Sequence, residues 1–534
     1  MNNIVKFFLL ATVLCGTSCS DFLDEKLKSS LAPDNTYNTS YGFEVGATGL
    51  YAWARSEFNT WGGATTSQGQ ACPYESFQVA TDIVYCGKQQ DGSLTPFEKL
   101  SYTPSTTFVA SYWNWGYGLI ASANEMLEYS EKSNVVWSNA GDKTLYQATA
   151  RFFRAYAYRY LVYLYGDVPY VDKIEKDFRT DFTRTPKKEV LAKMIDDLEF
   201  AANNLPDNPD KVDSGKLTKW AAKHLLSEVY LMAGEYKKAK DTADEVINCG
   251  YFHLMTTRFG VNKEGAGDVF SDMFLENNQN RESGNKESIW VMQLEYNTTG
   301  GGGDCEDWTR RAWSPRYWDN LDGFVLSDSL GGRGLAQIMP FKWWIENKDF
   351  YTANDIRNSN YNIKRIWYYN NPKSSKYGQK AEITETTWKL SQLYPVITKF
   401  FYGKAADLTY TGNNKDRMKF RLAETYLLKA EACIDLGDKQ GAADAINMVR
   451  QRAGSTSITA NEVSMDFLLD ERIRELVGEE LRRFTLLRTG KLLDRVHKYN
   501  AKSASMDEHN LLWPIPQNVI DSNTGSEFPQ NPGY

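Results

Sequence analysis

Residues 304–319 crowd two kinds of side chain together. Trp308, Trp313, Tyr317 and Trp318 supply rings, and Asp307, Arg310, Arg311 and Asp319 supply charge. A sugar offers C–H groups on one face and hydroxyls at its edge. Flat rings cover the face, while carboxylates, amides and guanidiniums address the edge. The segment follows four consecutive glycines at 300–303, in a stretch with little helical pattern, so its rings are not committed to a core by their spacing. A second group, Trp61, Tyr74, Phe77, Asp82 and Tyr85, stands in an earlier loop-like stretch. The competing reading, of equal weight, makes Trp313 and Trp318 anchors of the loop-rich region. Trp343, Trp344 and the run Trp367-Tyr368-Tyr369 adjoin helix-like or strand-like runs and read as packing.

Catalytic chemistry finds little support. The four histidines, His224, His253, His497 and His509, have no metal-ligand spacing, and His224 lies in a helical run where a structural role is expected. A nucleophile-elbow Gly-x-Ser-x-Gly is absent, and Gly331-Gly332-Arg333-Gly334 lacks the ending of a phosphate loop. Asp304, Glu306 and Asp307 are close together, but 68 acidic residues make such groups unavoidable, and a calcium loop's ligand count is missing. No cofactor or metal is expected, and the chain is not expected to be an enzyme.

The elements that position these residues read as helices at both ends of the chain. Apolar spacing predicts helices over 42–58, 111–129, 144–165 and 188–203. Residues 218–250 read as a helical hairpin, with Thr218 capping its start, Gly234 at its turn, and Ala239 and Ala243 letting the backbones approach. Leu428, Ala432, Gly437, Ala442 and Ile446 repeat that logic. The spacing resembles a tetratricopeptide repeat. The expected fold is mostly α: tetratricopeptide-like helix pairs forming a scaffold, with a large loop-rich irregular insertion. The expected divisions are 1–18, 19–250, 251–417 (the aromatic-rich insertion) and 418–534. Within the insertion, 288–294 alternates like a short strand. The run 471–488 alternates charge and reads as a solvated helix face, or else as arginines tying the last helices to the body.

The 534 residues carry a net charge of −7, which argues against a nucleic-acid partner. The 15 Trp, 32 Tyr and 26 Phe suggest ring-mediated binding. Lys6 and the apolar run 7–15 lead to Cys19 after small residues, the arrangement of a bacterial lipoprotein signal. Cys19 is the expected lipid-bearing residue, with Cys15 the bulkier-flanked rival. Cys249 and Cys433 are expected in buried helical positions, and pairing among Cys72, Cys86 and Cys305 stays open.

Several segments, in order, resemble the SusD/RagB family of surface lipoproteins from Bacteroidetes. They are Ser18-Cys19-Ser20-Asp21-Phe22-Leu23-Asp24-Glu25, Ala150-Arg151-Phe152-Phe153-Arg154-Ala155-Tyr156 with Leu164-Tyr165-Gly166-Asp167-Val168-Pro169, Arg421-Leu422-Ala423-Glu424, Glu471-Arg472-Ile473-Arg474-Glu475-Leu476, and the ending Trp513-Pro514-Ile515-Pro516 with Gln530-Asn531-Pro532-Gly533-Tyr534. The chain departs from the family pattern at Glu480, Leu481 and Thr485. The resemblance implies an outer-membrane, cell-surface protein anchored in lipid through acylated Cys19. It implies a SusC-like TonB-dependent transporter as partner and a glycan ligand, or peptide fragments in another branch, without catalysis. It also implies that loops around Trp61, Tyr74 and Tyr85 meet the 307–318 segment at the ligand site.

Overall fold

The computed structural model describes residues 33–58, 73–87, 92–175, 177–296, 298, 307–403, 408–409 and 412–534. Cys19, Trp61, Cys72, the glycine run, Asp304, Cys305 and Glu306 lie outside the described residues.

The longer helices are α1 (Ser40–Arg55), α2 (Thr107–Ser130), α3 (Asp142–Tyr165), α4 (Lys187–Asn204), α5 (Lys219–Met232), α6 (Tyr236–Ile247), α7 (Leu422–Asp435), α8 (Lys439–Arg452), α9 (Met465–Leu476), α10 (Arg482–Arg488) and α11 (Leu492–Tyr499). None is long and apolar enough to cross a membrane. Helices α2 through α6 pack each on the next, and α7 packs on α6 before pairing with α8. The two hairpins that are far apart in sequence are therefore neighbours in space, and the stack runs on past the loop-rich segment between them. Ala239, Ala243, Ala442 and Ala443 are all buried, which lets the paired backbones close up. Gly234 and Gly437 end the first helix of each hairpin at φ +74° and +75°, the left-handed conformation that costs glycine least.

Helix α3 is the centre of the stack, with every residue from Phe152 to Tyr165 buried. Its charges survive there because they are paired. Arg154 makes a two-pronged bond to Asp197 (2.8 and 2.7 Å), and Arg159 holds Glu228 (3.0 and 2.9 Å). Thr218 stands at the start of α5 with extended backbone, but its hydroxyl bonds nothing in the first turn and has no partner among the described residues. The expected side-chain cap is not formed; the Thr218 carbonyl takes the N–H of Ala221 at 3.0 Å.

Among the described residues the strands form four antiparallel pairs. β1 (Val84–Cys86) pairs with β3 (Ile338–Pro340), β2 (Ser288–Met292) with β8 (Arg417–Arg421), β4 (Ile363–Lys364) with β7 (Val396–Ile397), and β5 (Trp367–Tyr368) with β6 (Lys380–Ala381). The β2–β8 pair brings the start and end of the loop-rich segment together just where α7 begins. All five β2 residues are buried, not alternately exposed, because Trp290 packs edge-on against Phe152 and Tyr156 of α3. Cys86 is a free thiol in β1, Cys433 is buried in α7, and Cys249 is half-buried just beyond α6 and not inside a helix.

The charge-rich run 471–488 is buried, so the solvated-face reading fails and the tying reading holds. Arg421 reaches Glu287 at 2.8 Å and Glu479 at 2.7 Å, and also bonds Glu475 at 2.5 Å. Arg357 reaches Asp355, Glu471 and Glu475 at 2.7, 2.8 and 3.1 Å, and Arg452 bonds Glu287 and Glu475. Glu480, at a departure from the family pattern, takes Arg472 at 2.6 Å and Arg482 at 3.0 Å. Burial alone would raise the Glu471 carboxyl, but the guanidiniums of Arg357, Arg474 and Arg450 hold it down at about 2.

Candidate functional site

The two sequence regions expected to form the site do meet, but underneath the surface. The short helix Thr309–Trp313 is buried along its whole length. Trp313 is 2% exposed, and its indole N–H donates to Glu75 Oε1 at 3.1 Å. Trp308 is enclosed with the Arg311 guanidinium over its ring at 4.6 Å, and Arg310 donates to the carbonyl of Gly412 at 3.0 Å. Asp307 is buried and accepts from Arg417 at 2.8 Å and from the Thr309 backbone at 2.8 Å. Tyr317 is buried, donates to the carbonyls of Ser327 and Gly332 (2.9 and 3.0 Å), and stacks on Trp367 at 5.9 Å; burial pushes its phenol up to about 12. Tyr74 packs on Phe58 at 4.9 Å; Phe77 and Asp82 are buried too, with Asp82 taken up by Arg482 and Arg495.

Thus Trp308, Arg310, Arg311, Trp313, Tyr317, Asp307 and Tyr74 do not present themselves to a ligand here. The physical reason is that the loop-rich segment carries a core of its own. A ring hides about 150–250 Å² when buried, and with few long helices available these rings supply that apolar area. Trp343 keeps its ring against Tyr499 at 3.9 Å, and Trp344 and Trp367 are fully buried, in keeping with the packing reading. His224 is likewise structural, with Nδ1 2.9 Å from Thr425 Oγ1 and its ring on Phe420.

Two members of the expected set stay half-exposed. Trp318 follows the buried helix by five residues. Its indole N–H donates to the Gly334 carbonyl at 3.0 Å, which fixes the ring, and the guanidiniums of Arg333 and Arg316 lie 5.3 and 5.8 Å from its centroid. Arg316 pairs with Asp319 at 2.9 Å, while Arg333 has no ion pair among the described residues. The loop is pinned from below by Arg316 N–H to Ser391 O (2.9 Å) and by Gln392 to Asp319 O (2.7 Å). Tyr85 lies in β1 against Phe341 at 5.1 Å, accepts from Trp388 Nε1 at 2.8 Å, and has the Lys502 ammonium 5.2 Å away.

Sequence reading missed two surfaces. Tyr368, which the packing reading places inside with Trp367, and Tyr377 are 54% and 59% exposed on and beside the β5–β6 hairpin, because the strand turns Trp367 inward and Tyr368 outward. A cleft of about 340 Å³ is lined by Trp113, Tyr117, Phe178, Phe182, Val519 and Phe528. The signal for the first was the run of cations around those tyrosines; the second joins segments too distant in sequence to signal each other.

A stack of helical hairpins carrying a loop-rich body defines a class of helical-repeat scaffold. The family model described as the SusD family matches residues 286–534, and a second, described as "Starch-binding associating with outer membrane", matches residues 21–231. The chain belongs to the SusD family. It is similar to SusD-like protein P2 of Formosa agariphila, 26% identical over 99% of each chain. It is also similar to the starch-binding protein SusD of Bacteroides thetaiotaomicron, 24% identical over 86% of this chain and 84% of that one. Among solved structures, surface glycan-binding protein A of Bacteroides thetaiotaomicron in complex with laminarihexaose superposes with a TM-score of 0.69, at 21% identity, covering 92% of this chain and 99% of that one. A laminarin-binding SusD-like protein superposes at 0.67, with 21% identity and the same coverage.

Proposed function

We propose that this protein captures glycan at the cell surface and passes it to a SusC-like TonB-dependent outer-membrane transporter, held to the membrane by lipid on Cys19. The observation that carries the reading is Trp318, a fixed, half-buried indole beside the Arg333 guanidinium, which has no ion pair among the described residues. A pyranose laid on that ring buries its C–H face, and Arg333 and Asp319 address its hydroxyls. Relatives whose names state starch and laminarin binding support the same ligand class. The role is binding without turnover, so affinity and release, not chemistry, set its use.

Calorimetry of the full-length protein in a sugar-free detergent against starch, laminarin and plant-wall oligosaccharides tests it. Saturable binding that weakens about tenfold in Trp318→Ala, worth about 1.4 kcal/mol, is the expected result. Binding of peptides with no response to any glycan, or release of shortened sugars, overturns it.

A further inference from the structure

The outer face of the β5–β6 hairpin is built from one ring and one cation. Trp367 stands opposite Ala381 and Tyr368 opposite Lys380. Residues directly opposite in an antiparallel pair share a face. Trp367 and Ala381 are buried, so Tyr368 and Lys380 lie side by side on the solvent face, and both are exposed.

The surroundings extend that pattern. Residues 361–380 hold Lys364, Arg365, Lys373, Lys376 and Lys380 and no acidic residue, in a chain whose net charge is −7. Lys376 pairs with Asp322 at 3.2 Å. Arg365 donates only to backbone carbonyls, of Ile345 at 2.9 Å and Asn358 at 3.4 Å. Lys364, Lys373 and Lys380 have no carboxylate partner among the described residues. Like charges gathered without counter-charges repel one another, and the cost is relieved by an anionic partner. Tyr361, Tyr368 and Tyr377 stand exposed among them.

This hairpin is attached to the Trp318 loop. Asn371 N–H donates to Gly323 O at 2.9 Å, Val325 N–H to Asn370 Oδ1 at 2.9 Å, and Phe324 packs on Tyr369 at 5.0 Å. A polymer lying on Trp318 has a neighbouring surface on which to continue.

We infer that the outer face of the β5–β6 hairpin binds an anionic polysaccharide, its sugar ring on Tyr368 and its carboxylate or sulfate on Lys380 and Lys373. The inference rests on the glycan reading and narrows its substrate class. A neutral glycan has use for the ring but none for the ammonium groups of Lys373 and Lys380.

Affinity electrophoresis and calorimetry on the full-length protein separate the possibilities, with polygalacturonate as the carboxylate probe, dextran sulfate as the sulfate probe and laminarin as the neutral one. Binding to one of the anionic polymers about tenfold tighter than to laminarin at about 50 mM salt, and weaker at about 300 mM, is expected. Whichever anionic probe binds names the charged group. The pair Lys373→Glu with Lys380→Glu abolishes that preference, and Tyr368→Ala weakens it about fivefold, with the thermal midpoint at about 300 mM salt unchanged in both. If laminarin binds through Trp318 as well as the anionic polymers do, and the hairpin variants change nothing, the inference fails and the glycan reading stands. Equal retention by Tyr368→Ala overturns the site in favour of diffuse charge. If no polysaccharide binds the unaltered protein, both readings fall.

Discussion

Helices α9 and α10 and the β5–β6 hairpin are both dense with charge, and the structure treats them oppositely. In 465–488 the signs are mixed, and four of the five arginines find carboxylates: Arg472 takes Glu480, Arg474 takes Glu471, Arg482 takes Asp82, and Arg488 takes Glu431 and Glu228, while Arg483 donates to the backbone carbonyls of Asn510 and Leu511. In 361–380 the charges share one sign, and four of the five lack a carboxylate partner among the described residues. Mixed signs neutralise one another and can be taken out of water together. A single sign cannot, so it stays at the surface and remains available to a partner. The first arrangement holds the molecule together; the second faces outward.

Removing one member of the buried set breaks the comparison most severely. Glu475 is shared by Arg421, Arg452 and Arg357. Glu475→Gln leaves those guanidiniums short of a counter-charge, and the expected loss is about 3–5 kcal/mol. A fall in the denaturation midpoint measures it; an unchanged midpoint would mean that Glu287, Glu471 and Glu479 carry the network without it.

The rings divide along the same line. Trp313→Ala opens a cavity and strands Glu75, with an expected cost of about 3–4 kcal/mol. Trp318→Ala, at a half-exposed ring, costs under about 1 kcal/mol of stability while weakening glycan binding. Should Trp313→Ala fold normally and lose only binding, the assignment of inner and outer rings is reversed.

Glu75 sharpens the contrast, as a buried carboxyl with no cation bonded to it among the described residues. Burial raises it to about 8, against the smaller opposing pulls of Arg417 and the Trp313 N–H. Its folded value lies above its unfolded one. The contribution is full below about pH 4.5 and declines by about 1.4 kcal/mol per unit as pH rises to about 8. Urea titrations over this window should show a slope for the natural protein that Glu75→Gln reduces. Identical slopes would place the proton elsewhere.

The hairpins were legible because helical spacing and a glycine stop are local. Leu225, Val229 and Tyr230 announce a face, and Gly234 announces its end, without reference to anything distant. The short helix Thr309–Trp313 carries no such pattern. What buries Trp313 is Glu75, more than two hundred residues away, so the rings could be counted in sequence but not assigned to inside or outside. The charged run failed as a solvated face for the same reason: its partners Asp82, Arg421 and Arg357 come from other parts of the chain. Lys364, Arg365, Lys373, Lys376 and Lys380 were in plain view, yet a run of cations signals a surface only once its carboxylate partners are known to be missing.

The smallest expected effect bears on that last point. If the hairpin cations are kept for a partner and not for the fold, Lys373→Glu and Lys380→Glu should leave stability within about 0.5 kcal/mol. Reversal should even relieve some repulsion at low salt, because it brings negative charge into a run that holds five cations and no acidic residue, and added salt should erase the gain. Thermal midpoints of natural and variant protein at low and moderate salt test this directly. A loss well beyond 0.5 kcal/mol would place these lysines with the buried arginines, as structural charges, and would remove the distinction between the two regions.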